Sequence, residues 1–283
     1  MAEDHVSLTP RVCMAELMSA SPVRLPGAAR EAFLADLRAY FGALTVLRTE
    51  DTALHLALDE FPVQYEGGES VPAQIVLLSS DDPGMKPDSG KARETLEASL
   101  AQTWNWPDVE EVAETSPHTL LVMDIMSTAL DPGRRMHIFP RVLHSLLGYV
   151  PCAALHFPNS QCVVDPEEYK VSLPGDPDGY PLHGLLNVRY FSVQDTAGEI
   201  VMDTLGLHVF GLPDVQCHCA GVDPRELGGW LYSLGAYIAA SKNGIGDGDT
   251  VDAFNGTRMT MTYEEALVAP RRVVLDLQPT EDT

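Results

Sequence analysis

The residues whose types could do chemistry fall in four places along the chain. Cys217-His218-Cys219, with Asp214 upstream and His208 beyond it, has metal-ligand residue types. In an extended segment, however, Cys217 and Cys219 share a face while His218 points away. No second cysteine pair lies elsewhere, so strand packing is the expected role and zinc on the purified protein would overturn it. Cys152 with His156, or Ser160 with His156 and Asp165, can be drawn as a nucleophile and its base. There is no Gly-x-Ser-x-Gly elbow, HExxH helix or P-loop to organise them, so core and capping roles are expected instead.

The third place is the loop Gly244-Ile245-Gly246-Asp247-Gly248-Asp249-Thr250. Glycines let a backbone approach phosphate, but a dinucleotide loop follows a strand and opens a helix. This loop does the reverse, and its aspartates repel phosphate. A calcium loop needs further ligands and a distal Glu that are absent. Turn structure is expected, with Asp247, Asp249 and nearby Asp252 available to a partner. The fourth place is the set of paired carboxylates, Asp81-Asp82 and Glu110-Glu111. A catalytic pair needs burial to shift its pKa, and these lie in polar surroundings that predict solvated faces.

The elements that must position these residues follow from periodicity. Phe33, Leu34, Leu37, Tyr40 and Phe41 predict a helix over 28–41 between Pro26-Gly27 and Gly42. Strands are predicted at Cys13–Met18, Thr45–Leu47, Leu54–Leu58 and Ala73–Leu78. The turn-rich stretch 79–90 sets a soft boundary between an N-terminal α+β subdomain, 1–80, and a C-terminal α+β domain, 91–283. Leu96, Leu100 and Trp104 mark one face of a helix that ends before Pro107, and a short acidic helix then runs to Thr115.

His118–Met126 reads as a central strand covered on both faces. Pro132–Tyr149 reads as a helix that Pro140 kinks or truly begins, and Cys152–His156 as a buried strand. Asp165-Pro166-Glu167-Glu168 and Asp223-Pro224-Arg225-Glu226 are both helix starts, with Asp as cap and Pro in the first helical position. Each follows a Gln-Cys pair, which hints at two related lobes, although the unequal spacing argues for coincidence. The second of these helices presents Leu227, Trp230, Leu231, Leu234, Tyr237 and Ile238 as an apolar face ending at Asn243-Gly244. Asn255-Gly256 predicts a two-residue type I′ hairpin, and Arg272–Leu277 a closing strand with Val273, Leu275 and Leu277 on one side. The expected class is α+β, with mixed or antiparallel sheets and packed amphipathic helices.

Composition narrows the function classes. The 41 acidic and 18 basic residues give a net charge of -23, which opposes a phosphate backbone or an anionic lipid surface. Residues 51–116 hold 14 acids and 3 bases, whereas 117–160 hold 2 acids and 3 bases, so the excess is regional. No apolar run is long enough to span a membrane and the start lacks a secretory pattern, which predicts a cytoplasmic protein. Five cysteines in apolar stretches read as buried thiols.

The segment from about Trp104 to Leu277 resembles a bacterial domain-of-unknown-function family, the 4261 family. The resemblance rests on Trp104-Asn105-Trp106, His118-Thr119-Leu120-Leu121-Val122, and His156 through Gln161. It continues in Asp203 through His208, Gly211 through His218, and Asp247-Gly248-Asp249-Thr250. It implies a bacterial source and a stand-alone protein, loosely associated with secretion or toxin and immunity loci, and it assigns no catalytic residue and no cofactor.

The resulting expectation is a non-enzymatic binding protein, an immunity protein that occludes a secretion-system toxin. Asp81, Asp82, Glu110, Glu111, Asp247, Asp249 and Asp252 would face a basic protein partner, with neither nucleic acid nor membrane involved and the oligomeric state open. The first alternative is a metal-dependent hydrolase whose dispersed site gathers His156, His208, Asp214 and His218. The second is a scaffold or regulator of a secretion apparatus.

Overall fold

The computed structural model describes residues 8–65, 67–68, 70–85, 89–172, 181–194, 196, 198–241 and 245–280. The chain divides into two compact units, Val12–Leu185 and Leu186–Thr283 with Met1–Arg11. Among the described residues there are six helices and thirteen strands in two sheets, an α+β fold.

The first unit holds a seven-stranded antiparallel sheet. Its strands are β1 (Cys13–Ser19), β2 (Leu44–Thr49), β3 (Ala53–Val63), β4 (Val71–Ser79), β5 (His118–Ile125), β6 (Ala154–Phe157) and β7 (Cys162–Val164), in the order β2-β3-β4-β5-β1-β6-β7. The stretch 79–90 joins β4 to helix α2 (Ser89–Ala101) inside this unit, and β4 and β5 on either side of it are hydrogen-bonded neighbours. β5 is central as its apolar run predicts, although buried residues alternate with half-buried ones along it, so one face is more open than expected.

Helix α1 (Gly27–Phe41) buries Phe33, Leu34, Leu37 and Phe41 and ends where Gly42, at φ 77°, donates its N–H to the Arg38 carbonyl at 3.0 Å. Tyr40 falls off that face and is exposed, with the Arg141 guanidinium 5.4 Å above its ring. α2 stops before Trp104, which is 68% exposed; Trp106 instead packs on the cluster of Met18, Val109, Ala113, Ala154 and Val163. The acidic helix is α3 (Val109–Glu114). α4 (Pro132–Leu146) starts at Pro132, capped by Asp131, which accepts from the Arg134 N–H at 3.2 Å, and Pro140 lies well inside it. α5 (Pro166–Ser172) starts where Asp165 accepts from the N–H groups of Glu167 and Glu168 at 2.7 and 3.2 Å.

The second unit holds a six-stranded mixed sheet. Its strands are β8 (Asn187–Ser192), β9 (Glu199–Leu205), β10 (Asp214–Ala220), β11 (Thr250–Asp252), β12 (Arg258–Glu265) and β13 (Val273–Pro279), in the order β11-β12-β13-β10-β9-β8. β13 runs parallel to β10 inside the sheet and so does not close it as an edge; its residues are buried on both faces from Val273 to Leu277. α6 (Pro224–Ala240), capped by Asp223, packs on β8, β9 and β10 through Leu227, Leu231, Leu234 and Ile238, while Tyr237 is exposed. The expected end of this helix at Asn243-Gly244 lies outside the described residues.

The hairpin of β11 and β12 closes differently from the two-residue prediction. Ala253 N–H donates to the Thr257 carbonyl at 2.8 Å, leaving Phe254, Asn255 and Gly256 as a three-residue loop. Gly256 adopts φ 80°, the left-handed position this longer loop needs, and Asn255 Oδ1 accepts from Thr257 N–H at 3.0 Å. The two Gln-Cys pairs sit in unlike positions, since Gln161-Cys162 leads into the edge strand β7 and Gln216-Cys217 lies within the inner strand β10.

Candidate functional site

In the six-stranded sheet, alternation along the strands separates an apolar face from a polar one. Met202, Thr204 and Val188 turn towards α6, where the side chains of Met202 and Val188 lie 3.3 and 3.8 Å from where a Cβ on Gly228 would stand. The opposite face carries Arg189, Asp203, Gln216 and Asp276, which are register neighbours across four strands. Such charges in the middle of apolar strands are tolerated only when each is paired.

Here each is paired. Arg189 Nε and Nη2 donate to the two oxygens of Asp203 at 2.9 and 2.5 Å, and Nη1 donates to the Ala269 carbonyl at 2.7 Å. Arg272 Nη2 donates to Asp203 Oδ2 at 2.5 Å and to the Thr204 carbonyl at 3.0 Å, while its Nε donates to Asp214 Oδ2 at 3.1 Å. Asp214 also accepts from the Leu207 N–H at 3.0 Å and binds His208 Nδ1 at 2.8 Å, His208 lying in the 3-10 turn Leu207–Phe210. Gln216 donates to Asp276 at 2.9 Å and accepts from the Leu267 N–H at 2.7 Å. Burial alone would push the Asp214 carboxyl up, but the His208 hydrogen bond and charge, Arg272 and the Leu207 amide together hold it below the usual carboxylate range. The layer therefore holds fixed charge, with the two arginines on Asp203 and Asp214 and the Gln216 amide on Asp276.

The seven-stranded unit contains two smaller buried polar sets. Asp124 on β5 takes Arg135 Nε and Nη2 at 2.9 and 3.0 Å and the N–H of its register partner Cys13 at 2.6 Å. Glu16 on β1 and His156 on β6 are also register partners, and Glu16 Oε2 meets His156 Nδ1 at 2.8 Å while Ser99 Oγ of α2 meets His156 Nε2 at 2.9 Å. A serine, histidine and carboxylate in that order have the connectivity of a hydrolytic triad. The environment opposes that use: Ser99 is 0% exposed within a helix, and its hydroxyl donates to the Thr95 carbonyl at 2.8 Å. Ser99→Ala should cost about 1–3 kcal/mol by leaving a buried imidazole nitrogen unpaired, measured by urea unfolding. A serine-directed phosphonate should leave Ser99 unlabelled.

The structure places the residues singled out from sequence as follows. Asp247 and Asp249 are exposed and brace their own loop, Asp247 accepting from the Tyr263 N–H at 2.9 Å and Asp249 from the Gly246 N–H at 3.0 Å. Asp252, Glu110 and Glu111 are exposed. Asp81 is exposed, near Arg24 and His118 at 3.6 and 3.8 Å. Asp82 is buried rather than solvated: it accepts from Thr52 Oγ1 at 2.8 Å, the Gly84 N–H at 2.8 Å and Arg48 Nη2 at 3.0 Å, and these hold its carboxyl below its ordinary value.

Of the four residues of the dispersed metal reading, His208 and Asp214 meet. His218 sits four residues along β10 from Asp214, roughly 13 Å at strand rise, and pairs with Glu199 at 3.3 Å. His156 is held by Glu16 and Ser99. Among the described residues, no group of three or more His, Cys, Asp or Glu side chains is placed to hold a metal ion. Cys217 is buried and Cys219 partly exposed on the same face, as alternation predicts, and burial pushes the Cys217 thiol up to about 12.

Sequence reasoning did not single out Glu16, Ser99, Arg189 or Arg272. The available signal was a charge inside each of several apolar strands, Arg189 in Asn187–Ser192, Asp203 in Glu199–Leu205 and Asp276 in Val273–Pro279, with signs that complement one another.

No helix among the described residues is long and apolar enough to cross a membrane. No curated protein and no solved structure matches the chain. The segment that carries the polar layer from Asp203 through Asp276, residues 203–278, matches the family described as Domain of unknown function (DUF4261), the C-terminal part of the span over which the resemblance was expected.

Proposed function

We propose that this protein is a non-enzymatic binding protein whose anionic exterior meets a basic protein surface, in the manner of an immunity protein that occludes a toxin delivered by a secretion system. The observation that carries the reading is where the charge sits. Among the described residues the core takes up Asp82, Asp124, Asp203, Asp214 and Asp276 against Arg135, Arg189 and Arg272, so most of the acidic excess of the described residues lies outside it. Buried Arg135, Arg189, Arg272 and His208 hold Asp124, Asp203 and Asp214, and Gln216 holds Asp276, whereas Asp247, Asp249, Asp252, Glu110 and Glu111 project outward. A field of this sign steers a cationic partner and raises its association rate. A toxin with a phosphate-binding groove has the complementary charge.

The test is co-expression with the product of the adjacent gene, which should be toxic alone, tolerated with this protein, and co-purified with it. Asp247→Asn, Asp249→Asn and Asp252→Asn together keep an oxygen acceptor at each position and remove three charges. The triple variant should lower the association rate about tenfold at low ionic strength, with the difference vanishing near 0.5 M salt. A toxic neighbour that never associates with the protein, or an association rate unmoved by the variant, removes the proposal.

A further inference from the structure

The β2 edge of the seven-stranded sheet belongs to none of the sites described above. β2 ends the strand order, and among the described residues β3 is its only partner strand. Leu44 lies opposite Leu58, Thr45 opposite Ala57 and Val46 opposite Leu56, and one step earlier the Asp59 N–H donates to the Ala43 carbonyl at 3.1 Å. In an antiparallel ladder, residues whose backbone groups face the partner strand alternate with residues whose groups face away. Ala43 and Thr45 therefore turn towards β3. The N–H and C=O groups of Leu44 and Val46 turn outward, where no described residue meets them. Such edges are commonly blunted by charge, proline, a bulge or a covering element. Leu44-Thr45-Val46 carries neither charge nor proline, Thr45 is exposed, and the register shift between Val46 and Arg48 comes only after this stretch.

Charge decides what fits there. Asp59 and Glu60 lie on β3 at the Leu44 end, both exposed. Asp59 accepts from Thr45 Oγ1 at 2.9 Å and Glu60 from the Ala43 N–H at 3.2 Å, and neither meets a cationic side chain among the described residues. Both belong to the stretch 51–116, with its 14 acids and 3 bases. We propose that the β2 edge binds an extended basic segment of another protein by strand addition, Leu44 and Val46 supplying the ladder while Asp59 and Glu60 meet its lysines or arginines. Main-chain hydrogen bonds hold the segment, and the two carboxylates select its charge. A second copy fits less well. It would bring the same two carboxylates and the same net charge of -23 to the edge, and the register shift at Leu47 interrupts continuous pairing of like strands. This edge and the Asp247–Asp249 loop lie in different units, so its occupation does not depend on the partner being a toxin.

The experiment titrates the full chain with a fluorescent peptide of alternating valine and lysine, followed by anisotropy and by amide hydrogen exchange. The expected result is saturable binding that slows exchange of the Leu44 and Val46 amides. Val46→Pro removes one outward N–H and leaves the β2–β3 ladder bonds in place, since proline is tolerated where an edge N–H faces solvent; it should weaken binding about tenfold, with folding checked by circular dichroism. Asp59→Asn combined with Glu60→Gln keeps both acceptor oxygens and should weaken binding about fivefold at low ionic strength. The same peptide with glutamate for lysine, or with its backbone N-methylated throughout, should not bind. No saturable binding, binding that Val46→Pro leaves unchanged, equal binding of the N-methylated peptide, or protection that misses Leu44 and Val46 would each overturn the assignment. So would a dimer of the free chain that Val46→Pro disperses, because the edge would then belong to a second copy.

Discussion

Arg272→Met is expected to lower the unfolding free energy by about 3–5 kcal/mol, measured by urea denaturation of the purified chain. The side chain is 5% exposed and bridges Asp203 and Asp214, both 0% exposed, so removing it leaves two buried carboxylates to share Arg189 and His208. It also strips partners from the carbonyls of Thr204, Val268 and Pro270. An uncompensated buried charge costs far more than the net value of the pair it came from, which is why truncating one member is severe even where an apolar replacement of the whole set is tolerated. Arg271→Met is the control. That neighbour is exposed and pairs at 2.9 Å with an exposed Glu265, so its loss should change stability by less than about 0.5 kcal/mol.

The same network sets an acid limit. Asp214 has its folded-state pKa below the unfolded value, so its contribution is fully present above about pH 4 and is lost as pH falls through the folded value. In Arg272→Met one of the groups that lower Asp214 is gone, and the acid transition should begin at higher pH than in the parent chain. A cost under 1 kcal/mol for Arg272→Met, or an acid transition at the same pH in both chains, would mean that the layer is not the electrostatic unit described.

The elements of this fold were legible in the sequence wherever one local rule acted alone. Asp-Pro helix starts at Asp165 and Asp223, the apolar period of α1 and the central position of β5 follow from capping, from 3.6-residue spacing and from a continuous apolar run. The reading weakened where tertiary structure decides. Trp104 fits the α2 face by period, yet the helix ends three residues earlier, and Trp106 takes the packing position. Asn255-Gly256 fits a two-residue turn, but the register of β11 on β12 leaves a longer loop. The polar layer was the least legible part, because Arg189, Asp203, Arg272 and Asp276 lie as much as 87 residues apart and meet only through sheet order. Of the candidate residues, His208 with Asp214 was visible as a short-range pair. Ser99 with His156 and Glu16 was not, since the three residues come from three separate elements.

Gly184→Ala is expected to cost about 2–5 kcal/mol, the sum of a backbone part and a packing part. Gly184 has φ 80°, a conformation in which an L side chain costs about 1–2 kcal/mol. Its added Cβ would also stand 2.3 to 2.7 Å from three atoms of the Phe157 ring, closer than real contacts allow. That ring has little room to retreat: Phe157 is 1% exposed and lies against Tyr169, with ring centroids 5.8 Å apart. The Gly184 carbonyl also accepts from the buried Ser160 hydroxyl at 2.5 Å, so a backbone shift that relieves the clash weakens that bond. Gly221→Ala separates the two parts, because Gly221 has φ 71° and nothing within 4 Å of an added Cβ; it should show only the backbone cost. Combining Gly184→Ala with Phe157→Leu should then cost less than the two single changes added together, because the smaller side chain removes the atoms in conflict. Additive costs would place the Gly184 penalty in the backbone alone, and the tight approach of Gly184 to Phe157 would no longer be what fixes this corner of the seven-stranded unit.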